Sequence, residues 1–139
     1  MGRGRSYQEA EIVSSTSEQL VPLIYRELLK NLRRGASQIE ARDYEGKADS
    51  LARASAIVLE LMASRDRADG DLPRTLASLY TFFLKEIEAA SRELDAARLG
   101  PTIDMVARLE EAWANAAQQV ADGTAAPATP GPRARVVTP

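Results

Sequence analysis

Residues 20–41 read LVPLIYRELLKNLRRGASQIEA, and the spacing within that stretch decides the fold class. Its apolar residues fall at Leu20, Leu23, Ile24, Leu28, Leu32, Ala36 and Ile39, the i, i+3, i+4 recurrence of a single buried helical stripe. Just upstream, Thr16-Ser17-Glu18-Gln19 fits a capping box. There the Thr16 hydroxyl accepts from the amide three residues on, and the Gln19 side chain reaches back to the Thr16 amide. A first helix is therefore expected from this box to about residue 41. Pro22 lies about six residues inside it and has no amide for the carbonyl four residues back, so it should kink the first turn or move the true start forward.

The same periodicity recurs three times. Asp43 can cap a second helix reaching about residue 67, with Ala48, Leu51, Ala54, Val58, Leu61 and Met62 on its apolar face and Ile57 and Leu59 widening the arc. Gly70 and its charged neighbours break the pattern, and Pro73 suits the first turn of a third helix over about residues 72–97. Its stripe is Leu76, Leu79, Tyr80, Phe83, Leu84, Ile87 and Ala90, with a Glu88 to Arg92 pair on the other side. Gly100-Pro101 marks the next break, and a fourth helix follows from about residue 102 to 121. Its face carries Ile103, Val106, Leu109, Trp113, Ala116 and Val120, and Trp113 is expected in the core. Four helices of roughly 20 residues, each about 30 Å long, joined by connections of a few residues, make an all-α antiparallel four-helix bundle.

The flanks differ in composition. Residues 1–15 combine glycine, serine and charge with one aromatic, Tyr7, and the apolar pair Ile12-Val13, and read as an N-terminal arm. After Asp122-Gly123 the chain turns to alanine, proline and threonine, with almost nothing able to build a core, and residues 122–139 read as a disordered tail. The expected division is arm 1–15, helical domain 16–121 and tail 122–139.

Composition excludes several function classes. The formal net charge is −2 with both signs mixed along the chain, so no field draws in nucleic acid or an anionic membrane. Arg3 and Arg5 are not followed by the apolar stretch of a secretory signal, and no run approaches a membrane span. A cytosolic protein without membrane insertion is expected. There is no cysteine and no histidine, which removes disulfides, Ser-His-Asp and Cys-His catalysis, zinc sites of the usual ligand sets and Glu-x-x-His iron sites. Asp69-Gly70-Asp71 reads as a turn and cap, since two carboxylates alone make a poor metal site. No cofactor and no metal are expected. An enzyme on a helical bundle, resembling chorismate mutases, would need cations inside the apolar stripes. Arg26, Lys30, Arg33, Arg34, Arg53 and Lys85 lie outside them, and only Arg65 falls near one, at a helix end where it can snorkel. The chain is not read as an enzyme. A generic helical adaptor with some other client stays open, because amphipathic helices bind many partners.

The order of features is similar to that of the flagellar secretion chaperone family FliS. The resemblance rests on Tyr7, Ile12-Val13, Thr16, Leu20 and Leu23-Ile24-Tyr25. It continues through Ala36, Ile39-Glu40, Asp43-Tyr44-Glu45-Gly46-Lys47 and the run from Ala54 through Leu61. Leu76, Leu79-Tyr80, Phe83, Ala89-Ala90, Met105, Leu109 and Trp113 complete it. It covers about three quarters of the chain. One departure is that family members place a proline just after the first cap, where this chain has Ser17, with its proline at Pro22.

The resemblance implies a cytosolic chaperone that binds the C-terminal segment of flagellin, keeps it from polymerising early and presents it to the flagellar type III export gate. It also implies a client wrapped around the bundle in an extended, partly helical form, with the N-terminal arm covering part of the groove when the client is absent. A client groove requires apolar residues left exposed beside the buried stripes. Tyr25, Leu29, Tyr44, Ile57, Leu59 and Phe82 lie off those stripes or at their margins and are the candidate partner-binding residues. Wide stripes that simply pack are the plainer reading of each. Tyr7, with Ile12 and Val13, joins the set from the arm, where an isolated aromatic has no local core; a solvent-exposed position or a staple against helix one is the alternative. Association into a homodimer is left open.

Overall fold

The computed structural model describes residues 17–66 and 72–123. Among these residues the protein is all-α, with four long helices, one 3-10 turn and no strand. Helix α1 spans Ser17–Ala41, α2 Tyr44–Asp66, α3 Leu72–Glu93 and α4 Gly100–Ala121; the 3-10 turn, Ala96–Leu99, precedes α4. The described residues divide into two compact units, Tyr25–Arg108 and a second made of residues 17–24 with 109–123.

The helix ends follow from local chemistry. At the close of α1, Arg42 takes a left-handed conformation with φ 63°. The Asp43 amide then donates to the Gln38 carbonyl at 2.8 Å and the Arg42 amide to the Ile39 carbonyl at 3.1 Å. This is a Schellman closure, with arginine in the position that glycine usually fills. Asp43 serves next as the N-cap of α2, its Oδ1 accepting from the Gly46 amide at 3.0 Å. A Cβ at Gly46 would run into the Asp43 carboxylate and the Gln38 amide, so glycine is what lets the cap close so tightly.

Two boundaries differ from expectation, and a third, the start of α1, stands as expected. Helix α3 stops at Glu93 rather than near residue 97. Leu94 turns left-handed with φ 54°, and the Asp95 amide donates to the Ala90 carbonyl at 3.0 Å. Gly100-Pro101 does not separate two elements, because the 3-10 turn runs into α4 and Pro101 occupies a first turn whose amides need no helical acceptor. Pro22 does not move the start of α1, which begins at Ser17 and continues through the proline. The Thr16 capping box and the N-terminal arm and C-terminal tail fall outside the described residues, apart from Asp122 and Gly123.

Within the unit Tyr25–Arg108, α1 and α2 run antiparallel, as do α2 and α3. Leu51 of α2 lies where a side chain on Gly35 of α1 would stand, and Ser50 bonds Gln38. Lys47 near the start of α2 reaches Ser91 near the end of α3, and α2 packs along α3. The core of this unit is built from Leu28, Leu32, Val58, Phe83, Ile87, Leu99 and Val106, all fully or almost fully buried. Each such side chain contributes about 1.5–3 kcal/mol of burial free energy. Asn31 is buried among them and returns its amide to the Glu27 carbonyl at 2.9 Å within its own helix.

In the second unit, Pro22 is buried, Leu20, Ile24, Leu109, Ala116 and Val120 are half-buried, and Leu23, expected in the stripe, is 48% exposed. Trp113 is half-buried rather than enclosed.

Candidate partner-binding surface

The surface begins with where each helix turns its face. Tyr25 and Leu29, expected at the margin of the α1 stripe, are instead core residues at 1% and 7% exposure. The buried line of α1 runs through Tyr25, Leu28, Leu29, Asn31, Leu32, Gly35 and Ile39; it shares Leu28, Leu32 and Ile39 with the line read from spacing, and has Tyr25 buried where Ile24 was expected and Gly35 where Ala36 was. Two non-local contacts hold it there. The Tyr25 hydroxyl lies 2.6 Å from that of Tyr80 on α3, and Gly35 admits Leu51. Burial and the neighbouring Tyr80 push the Tyr25 phenol well above its ordinary pKa. Neither Tyr25 nor Leu29 is open to a partner on this surface.

The other described candidates stay at the surface. Tyr44 is 44% exposed, Leu59 55% and Phe82 38%, and Ile57 is half-buried. Phe82 also leans on the core, its ring centroid 6.2 Å from that of Phe83. Tyr7, Ile12 and Val13 lie outside the described residues.

Between α2 and α3 runs an open groove of about 540 Å³ that spacing alone did not indicate. Leu51 and Ile87 reach it from the core, Ala48, Ala52 and Ser55 border it on α2, and exposed Leu94 borders it on the α3 side. Ala48, expected in the buried stripe of α2, is exposed. Small residues at positions 48, 52 and 55 are the sequence signal that could have found this groove, since they leave space beside a neighbouring helix. Leu94 had no such signal, because it falls inside the stretch expected to be helical.

The electrostatics at this end of the groove are specific. The Lys47 Nζ donates to the Ser91 carbonyl at 3.2 Å and to Ser91 Oγ at 3.1 Å. On the rim, Arg92 pairs with Glu88 at 2.6 Å and with Glu93 at 3.3 Å. Arg98 from the 3-10 turn joins Glu93 at 3.2 Å and Glu86 at 3.0 Å. Five charges thus form one chain that ties the turn back to α3. Solvent screens these exposed pairs, so each contributes little to stability and the network acts mainly to position the turn. The expected Glu88 to Arg92 pair is among them. No group of three or more acidic side chains is placed to hold a metal among the described residues, and no described helix is long and apolar enough to cross a membrane. What this arrangement offers is an apolar, partly open surface with fixed charge at one end, which suits binding of an amphipathic segment.

Comparison with known proteins adds the family. Residues 2–120 match the family model described as "Flagellar protein FliS". The chain is 26% identical over 113 residues to the flagellar secretion chaperone FliS of Bacillus subtilis (strain 168), covering 81% of this chain and 84% of that protein. It is 21% identical over 106 residues to the flagellar secretion chaperone FliS of Vibrio cholerae, covering 76% and 78% of the two chains. To the protein of the same name from Campylobacter jejuni it is 25% identical over 109 residues, covering 78% and 85%.

Proposed function

This chain belongs to the family of the flagellar protein FliS, and from that premise we propose that it is a flagellar export chaperone that binds the C-terminal region of flagellin in the cytosol. In this reading it prevents premature polymerisation of its client and delivers it to the flagellar type III export gate. The observation that carries the reading is the family match over residues 2–120, together with three relatives that share the name flagellar secretion chaperone.

The physical chemistry of the surface supports the same role. A client segment that is unfolded alone must be ordered on binding, at a cost of about 2–5 kcal/mol, and apolar burial has to offset that. Tyr44, Leu59 and Phe82 are exposed apolar residues available for such burial, and Ile57 is half-buried. The surplus left after ordering is modest, so the complex is releasable, as export requires. Tyr7, Ile12 and Val13 in residues 1–15 are proposed to contact the same client, residues 16–121 to form the client-binding body, and residues 122–139 to be dispensable for binding. The relatives' shared description as chaperones supports a binding role in place of catalysis.

The test is co-expression with flagellin of the same organism, once at full length and once without its C-terminal region. Co-purification of the chain with the first and not with the second is expected. Recovery of neither, or of both equally, contradicts the assignment.

A further inference from the structure

In sequence the two signs of charge are mixed and the net is −2, but the fold gathers part of the positive charge on one face. Arg33 and Arg34 of α1 and Arg53 of α2 are exposed. Gln38 lies one turn along α1 from Arg34, Ser50 lies one turn along α2 from Arg53, and the Ser50 hydroxyl meets the Gln38 side-chain amide at 2.7 Å. The arginines therefore issue from the two sides of one seam. Lys30, a turn before them on α1, extends the row and pairs with Glu27 at 3.3 Å. Arg33, Arg34 and Arg53 have no ion-pair partner among the described residues; the carboxylates nearest them in sequence, Glu40, Asp49 and Glu60, engage none of them. Cations brought together without a neutralising carboxylate raise the local positive potential, and the guanidinium fork matches phosphate geometry.

We propose that this face of α1 and α2 docks peripherally on an anionic phospholipid surface, with its guanidinium groups on headgroup phosphates. Charge and shape both select this partner. The arginines stand on the outer surfaces of two adjacent helices, where a planar array of phosphates reaches all of them without any part of the bundle opening. Single-stranded nucleic acid would also need aromatic platforms for its bases, and Tyr44, the exposed aromatic of these two helices, is more than two turns from Arg53. No described helix is long and apolar enough to cross a membrane, so the attachment is electrostatic. Each cation held near such a surface raises the partition coefficient about fivefold, and the contact is reversible and weakens as salt rises. The face is separate from the groove beside α3, since Arg53 lies about 100–160° around α2 from Ala48, Ala52 and Ser55. A client and a membrane can therefore be engaged together. Export takes place at a membrane, so a chaperone held on its surface searches for the gate in two dimensions; this consequence draws on the reading above, whereas the lipid contact itself does not.

The experiment is co-sedimentation of the full chain at low salt with vesicles of phosphatidylcholine alone and of phosphatidylcholine mixed with phosphatidylglycerol. Partition onto the anionic vesicles and not onto the neutral ones is expected. Arg33→Gln with Arg34→Gln is expected to lower that partition about 25-fold, and adding Arg53→Gln about fivefold more. Arg74→Gln with Lys85→Gln removes the same charge from exposed positions of α3 and is expected to lower it less than about threefold. All these side chains are exposed, so the variants keep the helical fold, which circular dichroism checks. Absence of partition, equal partition onto the two kinds of vesicle, or equal losses in the two double variants overturns the proposal. Arginine-dependent binding of a single-stranded RNA oligonucleotide without binding of vesicles overturns it as well and gives the face to nucleic acid. None of these results bears on the flagellin reading, whose test contains no lipid.

Discussion

The hydroxyls of Tyr25 and Tyr80 meet 2.6 Å apart inside the protein and join α1 to α3 across 55 residues of sequence. Burial raises the Tyr25 pKa, with Tyr80 adding to the shift. A tyrosine whose folded pKa exceeds its unfolded value, about 10, favours the folded state fully below that pH and loses the contribution as pH rises further. Through this pair, stability is therefore expected to be independent of pH near neutrality and to fall above about pH 10. Urea unfolding of the parent and of Tyr25→Phe between pH 7 and pH 11 checks this. The phenylalanine variant should show a shallower decline, and identical slopes would contradict the role given to Tyr25.

The approach of α1 to α2 depends on Gly35. A Cβ there would occupy the space of the Leu51 side chain, itself 2% exposed. Gly35→Ala is expected to lose about 1–3 kcal/mol by overpacking, despite the higher helix propensity of alanine. Equilibrium denaturation measures it, and a stabilised variant would show that the helices can part at no cost.

Arg42 makes the opposite case. Its left-handed backbone closes α1, a conformation that strains an L side chain by about 1–2 kcal/mol, whereas glycine adopts it freely at some loss of unfolded-state entropy. Arg42→Gly should raise stability by up to about 1 kcal/mol, read as an increase in the denaturation midpoint at unchanged slope.

These positions show what could be read from sequence and what could not. The four helices and most of their limits were legible because caps and periodicity are local. Asp43 bonds the Gly46 amide as its spacing indicated, and Leu51, Ala54, Val58, Phe83, Ile87 and Val106 are buried as their stripes required. The edges of the α1 stripe were not legible. Tyr25 in place of Ile24 and Gly35 in place of Ala36 fit the same periodicity, and the partners that decide them, Tyr80 and Leu51, lie on other helices. Leu94 shows the second gap, since nothing in its side chain foretells a left-handed turn. For the candidate surface, Tyr44, Leu59 and Phe82 were recognisable as apolar residues off the stripes, whereas the groove along Ala48 and Ala52 exists only once α2 lies against α3.

Because Leu59 and Phe82 are exposed, changing them separates binding from stability. Leu59→Ser and Phe82→Ser are each expected to shift stability by less than about 1 kcal/mol. Together they should weaken flagellin binding at least about tenfold, the effect of truncating a moderate anchor. Thermal unfolding and a pull-down titration on the same preparations measure the two quantities. A double variant that unfolds early, or one that binds as well as the parent, would remove these residues from the proposed surface.

Titration calorimetry with circular dichroism is the direct test of the proposed recognition of the C-terminal region of flagellin. A peptide of that region is expected to bind at micromolar or tighter affinity and to gain helicity as it does so, while a peptide from the N-terminal region of the same flagellin is expected not to bind. No heat of binding and no helicity gain with the C-terminal peptide would contradict it.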